Sequence, residues 1–311
     1  MTLAWTGVLP AITTPFAADG EVDHAFLARH ARWMVGAGCS GIVALGSLGE
    51  AATLSVPEKL AVLRTLVGAL GDRVPVVAGI AALSTDDARA LAREAAALGC
   101  AGLMVLPPYV YSTDWREMRA HVAAVIDATP LPCMLYNNPI AYRTDFTPAQ
   151  VEALARSHDN LAAVKESSAD VRRIAALRHR LGDRLAILVG VDDLLVEGIA
   201  AGAVGWVAGL VNALPHESVR LFELALAGTA PDAAAARARA EADALYRWFL
   251  PLLALDTVPK FVQLIKLVQQ QVGQGDERVR APRLVLDGAE RETALALIAE
   301  RLAARPDRAA S

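Results

Sequence analysis

Lysine is scarce in this chain. Of 30 basic Lys and Arg residues only four are lysine: Lys59, Lys165, Lys260 and Lys266. Cysteine is scarcer still, with Cys39, Cys100 and Cys133 set among apolar residues in no metal-ligand or CxxC spacing. That pattern predicts reduced, buried thiols in a cytoplasmic protein. No apolar run approaches the roughly 18 residues of a membrane span. Met1 to Pro10 lacks the basic start and apolar centre of a signal peptide. Net charge is −4, with no basic footprint for nucleic acid. There is no long like-charge block either. No G-x-G-x-x-G or Walker-type loop occurs. The six histidines, His24, His30, His121, His158, His179 and His216, form no HxH or HExxH. Metal-dependent aldol chemistry is therefore disfavoured, and no cofactor is expected.

What is present is a large apolar content, 54% of 311 residues, enough for a sizeable core. Short apolar runs alternate with segments of helical period. Strands are expected at Val8–Thr13, Gly41–Leu45, Val74–Ile80, Gly102–Leu106, Cys133–Tyr136, Leu161–Lys165, Leu185–Val189 and Gly205–Ala208. Helices are expected between them, the first near Asp23–Gly36 and the last near Pro215–Ala227. Ser55-Val56-Pro57-Glu58 and Thr147-Pro148 carry helix-start chemistry. Eight βα units predict an α/β fold, a closed (β/α)8 TIM barrel, rather than an open doubly wound sheet. After Gly228 the alternation stops. Residues 1–228 are read as the barrel. Residues 229–311 are read as a helical extension packed on it, broken near Pro251, Pro259, Gly273–Gly275 and Pro282.

In such a barrel, catalytic groups gather where strands end. Lys165 ends the run Leu161-Ala162-Ala163-Val164, so a primary amine sits between a buried strand and a polar loop. A buried ammonium is disfavoured unless paired or deprotonated, and a deprotonated lysine attacks carbonyls. On this residue alone, a snorkelling or salt-bridged lysine is an equally open reading. Tyr136 ends the preceding strand and can move protons for imine chemistry. A strand-end tyrosine that only caps the core is the plainer reading of that residue by itself. Gly46-Ser47-Leu48-Gly49 is a turn able to offer amides and a hydroxyl to a carboxylate. Glu50 reads as a turn-stabilising carboxylate. Arg143 is a candidate carboxylate ligand. Asp192 and Asp193 are read as helix-capping, with a hydroxyl-binding role open.

Taken in order, Gly46-Ser47-Leu48-Gly49-Glu50, Tyr109 after Pro108, Tyr136-Asn137-Asn138-Pro139, Lys165-Glu166 and Gly190-Val191-Asp192-Asp193 resemble the dihydrodipicolinate synthase/N-acetylneuraminate lyase superfamily over nearly the whole chain. The resemblance implies a class I Schiff-base lyase whose imine forms on Lys165. Tyr136, Ser47 and Tyr109 would relay protons, Tyr109 at a neighbouring subunit's site in a homotetramer. The expected substrate contacts are Gly46, Leu48, Arg143, Gly190, Asp192 and Gly209, holding a small carboxylate. Three departures bear on the substrate, one being the extra residue in Gly190-Val191-Asp192-Asp193, which is more like the sialic-acid lyase side. Leu48 stands where the synthases usually have a second hydroxyl residue. Ile140-Ala141-Tyr142 lengthen the segment before Arg143. The segments YNNPIAY, VKESS and VPKFVQLIK are similar to the pyrroline-4-hydroxy-2-carboxylate deaminase branch, which implies ring opening, dehydration and loss of ammonia. 4-Hydroxy-tetrahydrodipicolinate synthesis or another pyruvate aldolase is the alternative. A catalytically silent metabolite-binding barrel is the reading from another class.

Overall fold

The computed structural model describes residues 3–71, 73–108 and 114–306. Eight parallel strands form one sheet. They are β1 (Gly7–Pro10), β2 (Ile42–Ala44), β3 (Val76–Ile80), β4 (Gly102–Val105), β5 (Cys133–Asn137), β6 (Leu161–Glu166), β7 (Ala186–Val189) and β8 (Gly205–Ala208). β1 pairs with β8, and a bridge from Ala11 to Val43 joins β1 to β2. The sheet is thereby nearly closed into a barrel. Its strands are buried on both faces, which is why they read as continuous apolar runs rather than alternating ones.

The helices between strands are α1 (His24–Gly36), α2 (Val56–Leu70), α3 (Thr85–Ala97), α4 (Trp115–Asp127), α5 (Pro139–Tyr142), α6 (Pro148–Ser157), α7 (Arg172–Leu181), α8 (Leu195–Ala200) and α9 (Pro215–Ala227). Ser55 and Thr147 each form a capping box, with Glu58 and Gln150. Each box satisfies amides that the first helical turn leaves unpaired. α5 is a single turn that the sequence pattern does not predict. Asn138 starts it by accepting from the Ala141 amide at 2.9 Å. The additional residues after Pro139 are thus wound into a helical turn.

The extension comprises α10 (Ala233–Leu253), α11 (Phe261–Gln271) and α12 (Gly288–Ala303). Pro251 does not break α10, contrary to expectation; the helix runs on to Leu253. So near the C-terminal end its missing amide removes only one bond. The next break falls in a 3₁₀ turn at Ala254–Thr257 and the Val258-Pro259 segment.

Lys266 on α11 ties the extension to the strand ends. It is only 2% exposed. Its Nζ donates to Glu50 Oε1 at 2.6 Å, Thr14 O at 2.8 Å and Arg278 O at 2.7 Å. Burial pushes the Lys266 ammonium down from its ordinary range, and Glu50 opposes that shift. Glu50 also accepts from the Arg280 amide at 3.1 Å. It therefore anchors the β2 turn, as a turn-stabilising carboxylate should. Removing one member of a buried pair strands the other. Lys266→Met is expected to lower unfolding free energy by about 3–5 kcal/mol in denaturant titrations. A loss under about 1 kcal/mol would show the pair to be dispensable.

Candidate active site

Tyr136 and Lys165 are register partners on adjacent parallel strands, so both side chains leave the same face of the sheet. Lys165 Nζ lies 4.2 Å from the centroid of the Tyr136 ring. Lys165 is 7% exposed. Among the described residues its amine has no hydrogen-bond acceptor and no carboxylate within ion-pair distance. Two lysines are thus buried at this end of the barrel, and they differ in kind. Lys266 spends its three donors on three oxygens, whereas Lys165 spends none. The Lys165 amine, over the Tyr136 ring and without a hydrogen-bond acceptor among the described residues, is not tied into the fold as Lys266 is.

The loop after β7 makes room for it. A Cβ on Gly190 would lie 2.6 Å from Lys165 Cε and 2.0 Å from Ser167 Oγ. Any side chain at Gly190 would displace the lysine. Ser167 Oγ is buried without a hydrogen-bond partner among the described residues. Sequence reasoning did not select Ser167; its only signal is its place two residues after Lys165. Glu166 faces away from this chemistry. It accepts from Asn137 Nδ2 at 3.1 Å and from the Ser168 amide at 2.7 Å. Burial raises its carboxyl pKa against those hydrogen bonds.

The β2 turn leaves two amides open. The amides of Ser47 and Leu48 donate to nothing among the described residues, while Glu50 N and Ala51 N close the turn onto Ser47 O and Gly46 O. Leu45 (φ 60°) and Glu50 (φ 53°) hold left-handed backbone on either side. Strain of that kind in non-glycine residues persists where the surroundings impose it, commonly at functional sites. Leu48 is buried and packs into the core.

Ser47 differs from expectation in its partner. Its hydroxyl bonds the Tyr142 hydroxyl on α5, not Tyr136. Tyr142 also packs edge-on against Tyr136, with ring centroids 5.8 Å apart. The Tyr136 hydroxyl accepts from Asn138 Nδ2 at 2.9 Å. Tyr142 thus joins the candidate site, though sequence reasoning passed over it as part of an insertion. Arg143 follows it with φ 58°, exposed and without a side-chain partner among the described residues. Tyr109 lies outside the described residues.

Asp192 requires a correction. It neither caps α8 nor offers its carboxylate freely to a substrate. Fully buried, it accepts from Trp206 Nε1 at 3.0 Å, Gly209 N at 3.0 Å and Leu210 N at 2.8 Å. It fastens the β7 end to the β8 end and acts on the mouth through Gly209. Burial pushes its carboxyl up to about 6, with the amides, Trp206 and the Lys165 charge pulling it back. No group of three or more His, Cys, Asp or Glu among the described residues is placed to hold a metal ion. No helix among them is long and apolar enough to cross a membrane.

The chain is similar in sequence and in overall fold to known proteins. The profile of the Dihydrodipicolinate synthetase family covers residues 4–301. A 4-hydroxy-tetrahydrodipicolinate synthase of Sorangium cellulosum is 39% identical over 237 residues, 76% of this chain and 78% of that protein. The crystal structure of a dihydrodipicolinate synthase from Bacillus anthracis superposes with a TM-score of 0.88 at 27% identity, over 96% of this chain and 99% of that one. A dihydrodipicolinic acid synthase family protein of Escherichia coli, solved in complex with pyruvate, superposes with a TM-score of 0.87 at 26% identity, over 96% and 99%. The chain belongs to the dihydrodipicolinate synthetase family of class I Schiff-base lyases.

Proposed function

We propose that this enzyme forms an imine between Lys165 and C2 of a small 2-oxo acid or cyclic imino acid. The observation that carries the reading is the buried, unpartnered Lys165 amine held over Tyr136. The substrate carboxylate would rest on the Ser47 and Leu48 amides, beside the carbon that reacts. Tyr136 would carry protons to and from the carbinolamine and enamine. The relative solved with pyruvate supports a 2-oxo acid at this position.

The identity of the substrate rests on two kinds of support. The names of curated relatives point to pyruvate condensation yielding 4-hydroxy-tetrahydrodipicolinate, and theirs is the more direct support. Leu48, Tyr142 and Arg143 support a second reading, deamination of pyrroline-4-hydroxy-2-carboxylate. Leu48 leaves the carboxylate turn with one hydroxyl. The α5 turn sends Tyr142 to that hydroxyl and leaves Arg143 exposed rather than drawn into the mouth. A product with two carboxylates would need a second cationic anchor, which no described residue supplies by contact with the site. In the deamination, Lys165 would add to the ring C=N carbon and the ring nitrogen would leave as an amine. Loss of a C3 proton and of the 4-hydroxyl as water would follow. A proton shift would then move the double bond to the C5–N bond, and hydrolysis of that imine and of the lysine imine would release ammonia and 2-oxoglutarate semialdehyde. A homotetramer, in which Tyr109 completes a neighbouring site, is part of the same proposal.

Borohydride trapping tests both levels. With pyruvate or with pyrroline-4-hydroxy-2-carboxylate, the expected result is a substrate-dependent adduct on Lys165, located by peptide mass spectrometry. Release of ammonia from the second compound would select deamination. Condensation of pyruvate with aspartate semialdehyde, and no ammonia, would select the synthase. No adduct with either compound, or with a panel of 2-oxo acids, would favour a silent binding barrel.

A further inference from the structure

Asp256 lies in the 3₁₀ turn Ala254–Thr257 between α10 and α11, in the part of the chain that supplies no barrel strand. That turn packs against the Asp192–Leu194 segment after β7. Its carboxyl reaches the end of β8. A Cβ on Gly209 would lie 2.2 Å from Asp256 Oδ1 and 2.6 Å from Cγ. Only glycine at position 209 admits the carboxyl to this place. Gly209 is also the residue whose amide Asp192 holds. Two carboxyls thus meet at one glycine, and they differ. Asp192 has its oxygens filled by N–H donors. Asp256 has no hydrogen-bond partner among the described residues, so it caps no helix and braces no loop.

The surroundings of Asp256 are those of a recess. The residue keeps some accessible surface, yet desolvation is the foremost influence on its carboxyl, ahead of the charges of Asp192, Lys165 and Asp193. Its pKa is raised well above the ordinary carboxylate value. Burying an acid beside another acid, with no donor to satisfy it, is unfavourable for folding. The Asp256 oxygens keep some contact with solvent, so they are open to a hydroxyl that takes the place of water. Lys165 on β6 and Gly209 at the end of β8 are two strands apart, roughly 10 Å along the sheet. The Lys165 charge is felt at the Asp256 carboxyl, which puts the two groups at the same end of the barrel.

We propose that Asp256 is a specificity-determining residue whose carboxyl hydrogen-bonds a hydroxyl carried on C4 of the substrate, two carbons from the lysine-bound C2. The ligand class is a 2-oxo or imino acid with a hydroxyl, rather than a second carboxylate, at its far end. The inference rests on the Lys165 imine reading. It deepens that reading by assigning the far end of the substrate to the C-terminal extension.

The test uses borohydride trapping on the full-length enzyme with 2-oxobutanoate and 4-hydroxy-2-oxobutanoate, which differ by the hydroxyl alone. Pyruvate trapping is the reference for each protein. The wild type is expected to half-saturate at about tenfold lower concentration with the hydroxylated acid, the worth of one such hydrogen bond. Asp256→Ala should bring the two within about twofold, and Asp256→Asn should fall between. Asp256→Asn should also melt at or above the wild-type temperature, because it removes an unpartnered acid without changing shape. Equal saturation in the wild type, or a preference that survives in Asp256→Ala, overturns the proposal. If Asp256→Ala does not fold, an unchanged preference in Asp256→Asn does so. Trapping of pyruvate with no effect at Asp256 defeats this proposal alone. No trapping of any acid defeats the Schiff-base reading and this proposal with it.

Discussion

Lys165→Ala is expected to reduce turnover on the order of 10⁴-fold or more, the scale on which enzymes fail when a covalent nucleophile is deleted. The protein should remain folded. The Lys165 amine has no hydrogen bond to lose, so its deletion leaves no acceptor stranded. Its removal also relieves the burial of a group that water would otherwise solvate. Lys266→Met should behave in the opposite way, because Lys266 is engaged by three oxygens. The two variants together separate a chemical lysine from a structural one. Circular dichroism and thermal melting report on the fold, while product formation and borohydride trapping report on the imine. Substantial turnover by folded Lys165→Ala would remove the Schiff base from the mechanism. Burial alone could not have made this assignment, since Lys266 is the more buried of the two. The three hydrogen bonds of Lys266 are what distinguish the two.

Much of this was legible in the chain because local pattern specifies local structure. The eight runs read as strands are the eight strands, and Tyr136 and Lys165 lie opposite each other because consecutive strands of a βα series become neighbours. Capping residues marked the helix starts for the same reason: their partners lie within one turn. What escaped the sequence was decided over long separations. Lys266 reads as an ordinary helix residue, and the acid that pairs with it is 216 positions away. Ser47 and Tyr142 are 95 apart, and no periodicity relates them. Asp192 precedes a helix and so looks like its cap, but it turns to the amides at the end of β8, which satisfy it better than one helical N–H could. Asp256 sits in a turn of the extension, where an acid is unremarkable until Gly209 is seen beneath it. Hydrophobic pattern therefore located the scaffold and the two residues that end its strands. The polar groups that tune those residues come from loops and from the extension.

Tyr136→Phe is expected to lower turnover by about 10² to 10⁴-fold, the range for loss of positioned proton transfer. The substitution removes one oxygen and keeps the ring. The aromatic face 4.2 Å from the Lys165 amine survives, as does the edge contact with Tyr142. Imine formation should therefore persist in trapping experiments while the later proton transfers slow. The hydroxyl is suited to that work. It accepts from Asn138 Nδ2 at 2.9 Å, so its own hydrogen is directed elsewhere and is free to pass to a substrate atom over Lys165. Asn138 also opens the α5 turn through its Oδ1. One side chain thus fixes the Tyr136 hydroxyl and places Tyr142 against Ser47. Asn138→Ala should then affect both hydroxyls, and its defect should exceed that of Tyr142→Phe. Single-turnover kinetics distinguish the steps. If Tyr136→Phe traps as fully as the wild type but releases product slowly, the phenol is a proton carrier. If imine formation itself fails, the phenol acts earlier, on the carbinolamine. Unchanged kinetics would confine Tyr136 to packing beneath the lysine and leave proton transfer to the Ser47–Tyr142 pair.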